Sequence, residues 1–130
     1  MIRINLDGSP PKDNPKFKGK NDWLAEIYQI GIRNPQGMTL SPFNGKIYIS
    51  NHGAKGGDFF GEVKFGENYG WQIWCWGGVN YSGTKCGETD QWDSRFTKPL
   101  YTWSPSIAVS AVQIYKGDEF KEWNGHILMT

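Results

Sequence analysis

The sequence predicts an all-β fold, and three observations carry that prediction. Its apolar residues fall in short runs with a period near two, each bounded by Gly, Pro, Asn or Asp. Seventeen glycines and seven prolines accompany seven Trp, seven Phe and six Tyr, a composition of turns and flat side chains that suits sheets and disfavours a helical bundle. Finally, Phe43-Asn44-Gly45-Lys46-Ile47-Tyr48-Ile49-Ser50 returns in pattern as Trp123-Asn124-Gly125-His126-Ile127-Leu128-Met129-Thr130. The offset of about 80 residues equals two propeller blades of roughly 40 residues each, so the repeat favours a propeller over a sandwich or barrel.

The elements follow in chain order. Ile2, Ile4 and Leu6 alternate with Arg3 and Asn5 before the Asp7-Gly8 turn, which predicts a first strand. Residues 9–21 form a polar connector with Pro10, Pro11 and Pro15 among Lys12, Lys16, Lys18 and Lys20. Asp22 is placed to cap a helical turn through Glu26, but the β-type residues Ile27-Tyr28-Gln29-Ile30-Gly31-Ile32 before Asn34-Pro35 favour a strand. Met38-Thr39-Leu40, the turn Ser41-Pro42-Phe43-Asn44-Gly45 and Lys46-Ile47-Tyr48-Ile49-Ser50 read as a hairpin. Further strands are predicted at Glu62-Val63-Lys64-Phe65, at 108–115 and at 126–130.

One core is the ceiling for 130 residues. The formal net charge of +1, with 21% charged residues, gives no electrostatic reason to expect nucleic acid or an anionic membrane as partner. No run of about 18 apolar residues is present, and Met1 to Leu6 is too short and polar for a signal peptide. Cys75 and Cys86 flank a glycine-containing loop able to bring them together; they otherwise stand as two unrelated thiols. Metal binding there is disfavoured, because neither His nor further Cys lies near.

The densest chemistry lies between Arg33 and Trp71. Arg33 presents a planar fork of donors suited to carboxylate or quinone oxygens, and Asn34 adds an amide that donates and accepts. The alternative is an ion-paired arginine beside a simple turn. In Asn51 to Asp58, Gly53, Gly56 and Gly57 permit backbone conformations that turn carbonyls towards a hard cation such as calcium. A phosphate loop is a poorer reading, since the lysine-hydroxyl ending of that motif is missing. His52 and His126 are single histidines that read better as hydrogen-bonding groups than as ligands or bases.

Four ordered motifs, Arg33-Asn34-Pro35-Gln36-Gly37-Met38, His52-Gly53 with Gly56-Gly57-Asp58, Asn68-Tyr69-Gly70-Trp71 and Pro105-Ser106-Ile107-Ala108, together resemble the glucose/sorbosone dehydrogenase family. These are soluble aldose sugar dehydrogenases dependent on pyrroloquinoline quinone (PQQ). The resemblance extends to Arg3-Ile4-Asn5 and Asp13-Asn14-Pro15, and so covers nearly the whole chain. It implies a six-bladed β-propeller, which needs roughly 240 to 300 residues. Residues 1–130 would then be a single partial domain of about two and a half to three blades, cut at both ends. Unclosed blades leave strand edges and apolar faces exposed, so poor folding or aggregation of the isolated segment is expected.

The resemblance also implies roles. Arg33 and Asn34 correspond to residues that contact the quinone, with Arg33 stabilising negative charge on it. The main-chain carbonyls of Gly53 and Ala54 correspond to those holding the cofactor-bound calcium, although relatives usually have proline at the second position. Asp58 and Tyr69 fall where some relatives bind a structural calcium, but Phe59 stands where an acidic ligand is expected. Trp103 could line the sugar cleft or pack in the core. The general base is expected upstream of Met1, and an external electron acceptor and a periplasmic or secreted location are implied. Two rival readings stay open: a β-rich carbohydrate-binding module without redox chemistry, and a propeller remnant without ligand.

Overall fold

The structure, a computed structural model, describes residues 1–17, 23–87 and 93–130. Among these residues six strands form in chain order: β1 (Pro35–Leu40), β2 (Ile47–Asn51), β3 (Asp58–Glu62), β4 (Tyr101–Trp103), β5 (Val112–Ile114) and β6 (Ile127–Met129). One 3-10 turn, Lys121–Trp123, is the sole helical element among the described residues. Strands β1 to β4 make a four-stranded antiparallel meander in sequence order, and β5 and β6 make an antiparallel hairpin. The all-β prediction holds.

The β1–β2 hairpin forms where its pattern placed it, with Leu40 opposite Ile47 and Met38 opposite Ile49. Its turn closes through the N–H of Gly45 on the Ser41 carbonyl, 3.0 Å, with Gly45 at φ +68°. Period-two alternation then sends neighbouring side chains to opposite faces. On one face Tyr48 and Phe60 stack, 5.3 Å between ring centroids, against Val112 and Ile114 of the second sheet. On the other, Ile49 and Phe59 pack against Tyr69. The four-stranded sheet is therefore covered on both sides, as a propeller blade is by its neighbours.

Several expected elements differ. Ile2 to Leu6 makes only one bridge, Ile2 to Ile27, because Asp7 and Asn5 bond Ser9 and curl the chain into a turn. Ile27 to Ile32 is not a strand either. Its backbone bonds Met1 on one side and Gly66, Glu67, Tyr69 and Trp71 on another, and Gly31 at φ +71° interrupts any longer ladder. The strand expected at 62–65 lies earlier, over Asp58–Glu62, where Gly61 makes room for the Tyr69 phenol. Of 108–115 only Val112–Ile114 is strand, since the residues before it wrap around Asp58. Strand β4 had no counterpart in the sequence reading. Asp22, Lys18 and Lys20 lie outside the described residues.

The repeat spans one sheet rather than two. Its copies fall on β2 and β6, the second strands of two sheets packed directly together, and the extra length is the excursion from β3 to β4. The described strands amount to one four-stranded sheet and one hairpin, with residues 63–87 and 93–100 in turns, bridges and irregular structure.

Candidate cofactor-binding site

The loops at one end of the first sheet converge on Arg33. Its Nη1 donates to the carbonyls of Gly53, 2.7 Å, and His52, 3.3 Å. The guanidinium carbon lies 5.3 Å from the Trp71 ring centroid and 5.5 Å from that of Tyr81. No carboxylate pairs with it, and Nε and Nη2 donate no hydrogen bond among the described residues. The ion-paired alternative is thereby excluded there. A half-buried cation beside two aromatic rings, with Nε and Nη2 undonated among the described residues, is poised for an acceptor from outside the chain.

Asn34 stands beside it with its backbone fixed and its amide partly free. Its N–H bonds Asn51 Oδ1 at 2.8 Å, its carbonyl takes the His52 N–H at 2.9 Å, and Oδ1 takes Gln36 Nε2 at 2.9 Å. Nδ2 has no partner among the described residues. Gly53 and Ala54 line the same small cavity as Arg33, with Phe59, Trp71 and Trp74. That cavity holds about 10 Å³, room for a single water, so a larger ligand must meet Arg33 from its open side. The imidazole of His52 has no hydrogen bond among the described residues.

Asp58 is fully buried and its oxygens are taken by the protein. Oδ1 accepts the Gly53 N–H at 2.8 Å; Oδ2 accepts Ser106 Oγ at 2.7 Å and the N–H groups of Ile107 and Ala108 at 3.0 and 2.8 Å. Burial pushes this carboxyl up, but the bonds from Ser106, Gly53 and Ala108 outweigh it and hold the group below the usual carboxylate range. Tyr69 packs on Phe59, and its hydroxyl donates to the Glu62 carbonyl at 2.8 Å. Burial, reinforced by the charge of Glu62, keeps that hydroxyl protonated far into alkali. No cluster of three or more His, Cys, Asp or Glu that could hold a metal occurs among the described residues.

Trp103 is not brought to Arg33. It ends β4 opposite Asp58, lies tilted against Tyr101 with ring centroids 4.8 Å apart, and packs on the Tyr48 and Phe60 cluster on the other face of the sheet. Two residues outside the sequence prediction do reach Arg33. Trp71 closed the Asn68-Tyr69-Gly70-Trp71 motif, and its neighbourhood to Arg33 follows from the Trp71 N–H bonding the Gly31 carbonyl, 3.1 Å. Tyr81 carried no sequence signal; it arrives on the loop that the Cys75–Cys86 disulfide closes.

Residues 1–130 match the family model described as Glucose / Sorbosone dehydrogenase. The chain belongs to this family. Within it, the chain is 38% identical over 124 residues to aldose sugar dehydrogenase YliI of Escherichia coli, covering 95% of this chain and 33% of that protein. Among solved structures, it superposes on soluble aldose sugar dehydrogenase from Escherichia coli in the apo-form, with a TM-score of 0.88 and 36% identity. That match covers 98% of this chain and 37% of the other. It is also similar to the PQQ-bound form of aldose sugar dehydrogenase from Streptomyces coelicolor, with a TM-score of 0.59 and 27% identity, over 85% of this chain and 28% of that one. The chain thus spans about a third of the length of these relatives. These structural neighbours are sugar dehydrogenase propellers, one of them solved in its PQQ-bound form, and the fold here is that of a partial propeller. No helix among the described residues is long and apolar enough to cross a membrane.

Proposed function

We propose that this chain supplies the quinone-holding portion of a sugar dehydrogenase that oxidises the anomeric carbon of aldoses to lactones by hydride transfer to PQQ. The observation that carries the reading is the half-buried Arg33 guanidinium, which among the described residues has no carboxylate partner and no acceptor for Nε and Nη2. A cation without a counter-charge is costly to bury even in part unless a ligand completes it, and a flat anionic quinone fits the planar fork beside the aromatic rings. When bound, PQQ supplies the two-electron acceptor that no side chain provides.

The chain's own residues then bind and orient. Arg33 holds an acceptor oxygen with charge-assisted hydrogen bonds and favours negative charge there. Asn34 Nδ2 offers a neighbouring donor. The carbonyls of Gly53 and Ala54 are the proposed ligands of a calcium ion; one lone pair of the Gly53 oxygen is engaged by Arg33 and the second is left for the metal. Asp58 acts through Gly53, fixing the backbone that presents these carbonyls. His52 is given no proton-transfer role, and the base is assigned to chain beyond this segment. A disulfide suits the periplasm or another oxidising compartment, where an external acceptor would reoxidise the cofactor.

The test uses the full-length polypeptide, with PQQ and calcium added and dye reduction by aldoses as the assay. Arg33→Ala removes about two charge-assisted bonds, roughly 3 kcal/mol, and should weaken PQQ binding about a hundredfold. Equal binding by the variant, or none by the native protein, would sink the reading. Calcium chelation should lower PQQ affinity reversibly.

A further inference from the structure

We propose that Tyr81 is a positioning residue which, with Trp71, confines Arg33 so that a quinone meets the guanidinium at its edge and not on its face. This rests on the quinone reading above. Both ring centroids lie within 5.5 Å of the guanidinium carbon, and no ring contact joins Trp71 to Tyr81 among the described residues, so the two rings meet the guanidinium separately. Nη1 is committed to the Gly53 and His52 carbonyls. The donors that remain are Nε and Nη2, neighbours on one in-plane edge, and such an edge matches paired acceptor oxygens better than a stacked ring.

Core packing does not explain Tyr81, because its side chain is 66% exposed. The loop that carries it is nonetheless heavily braced. The Asn80 N–H bonds the Thr84 carbonyl and the Gly83 N–H bonds the Asn80 carbonyl, each at 2.9 Å, while Val79 bridges Lys85. Asn80 Nδ2 bonds Thr84 Oγ1 and the Lys85 carbonyl, both at 3.1 Å, so the Asn80 amide serves the turn. The Cys75–Cys86 disulfide closes the base. Two ties fasten the loop to its neighbours: the Lys55 N–H, two residues beyond the Gly53 that holds Arg33, on the Val79 carbonyl, 3.0 Å, and Ser104 Oγ on the Gly77 carbonyl, 2.9 Å. An exposed aromatic ring on so fixed a support serves what it faces, and it faces Arg33.

The experiment is a PQQ titration of the full-length polypeptide, read by quenching of its fluorescence, for the native protein and four variants. Tyr81→Phe keeps the ring and should bind within about twofold of native, whereas Tyr81→Ala should bind about five- to tenfold more weakly at an unchanged melting temperature. Arg33→Lys should bind as weakly as Arg33→Ala, since an ammonium has no planar fork. Native affinity in Tyr81→Ala, equal weakness in Tyr81→Phe, or native affinity in Arg33→Lys would each overturn the proposal. If Arg33→Ala loses PQQ while Tyr81→Ala keeps it, only the clamp fails; if Arg33→Ala keeps it, the quinone reading itself falls and takes the clamp with it.

Discussion

Asp58 is the residue on which the local architecture turns, since one buried carboxylate ties the Gly53 loop to residues 106–108. Its folded pKa is depressed, so the unfolded chain binds the proton more readily, at about pH 3.9. The stabilisation is therefore complete above that pH and is lost as pH falls through the folded value. Urea midpoints measured from pH 6 downward should drop steeply below about pH 4, and Asp58→Asn should lack that part of the slope. The same variant turns an amide donor towards backbone N–H groups and should cost about 2–3 kcal/mol at neutral pH. Gly57 makes a second test at this scale. It sits at φ +76°, and a Cβ there would run into the Cys75 carbonyl. Gly57→Ala should destabilise by about 2 kcal/mol or more, seen as a lower urea midpoint with unchanged slope.

Among the elements, those written in side-chain alternation were legible and those written in backbone conformation were not. The β1–β2 hairpin and β6 follow from Met38 to Ser50 and its later copy, where apolar period and Asn-Gly turns agree. Strand β3 was misplaced because Asp58 and Gly61 look like loop residues; one is buried as a backbone organiser, and the other yields space to Tyr69. Motif order drew Arg33, Asn34, Gly53 and Ala54 together in the sequence, and in the fold Arg33, Gly53 and Ala54 line one small cavity with Asn34 next in the chain; their role in holding a cofactor is the proposal made above. Tyr81 was not, because it reaches Arg33 through loop closure and not through any period. That closure is itself testable. The Cys75–Cys86 bridge joins positions 11 apart and should contribute roughly 3 kcal/mol through the unfolded chain. Reduction with a dithiol breaks the S–S bond to two thiols with two electrons and two protons from the reductant. It should lower the urea midpoint accordingly, and Cys75→Ser should reproduce the loss without reductant.

At the scale of the whole molecule, two packed sheets bury a shared cluster of Tyr48, Phe60, Val112 and Ile114, yet much apolar surface stays outside it. Ile2, Ile4, Leu6 and Leu24 are exposed near one end, and Met38 and Leu40 on β1 and Ile127 and Leu128 on β6 are exposed on the strands themselves. Strand β4 is an edge of its sheet with Tyr101 open to solvent, and β6 is an edge of the hairpin. In a closed propeller such faces are covered by the next blade, and the chain matches only about a third of its propeller relatives. Exposed strands with apolar faces pair with whatever strand they meet, so the 130-residue chain expressed alone should self-associate. Light scattering should show a mass that grows with concentration, accompanied by strong binding of an apolar-surface dye. Extension to the length of the relatives should abolish both signals. A chain that stays monomeric and dye-free alone would mean that these faces are not blade-mating surfaces, whereas association relieved by extension assigns them to neighbouring blades.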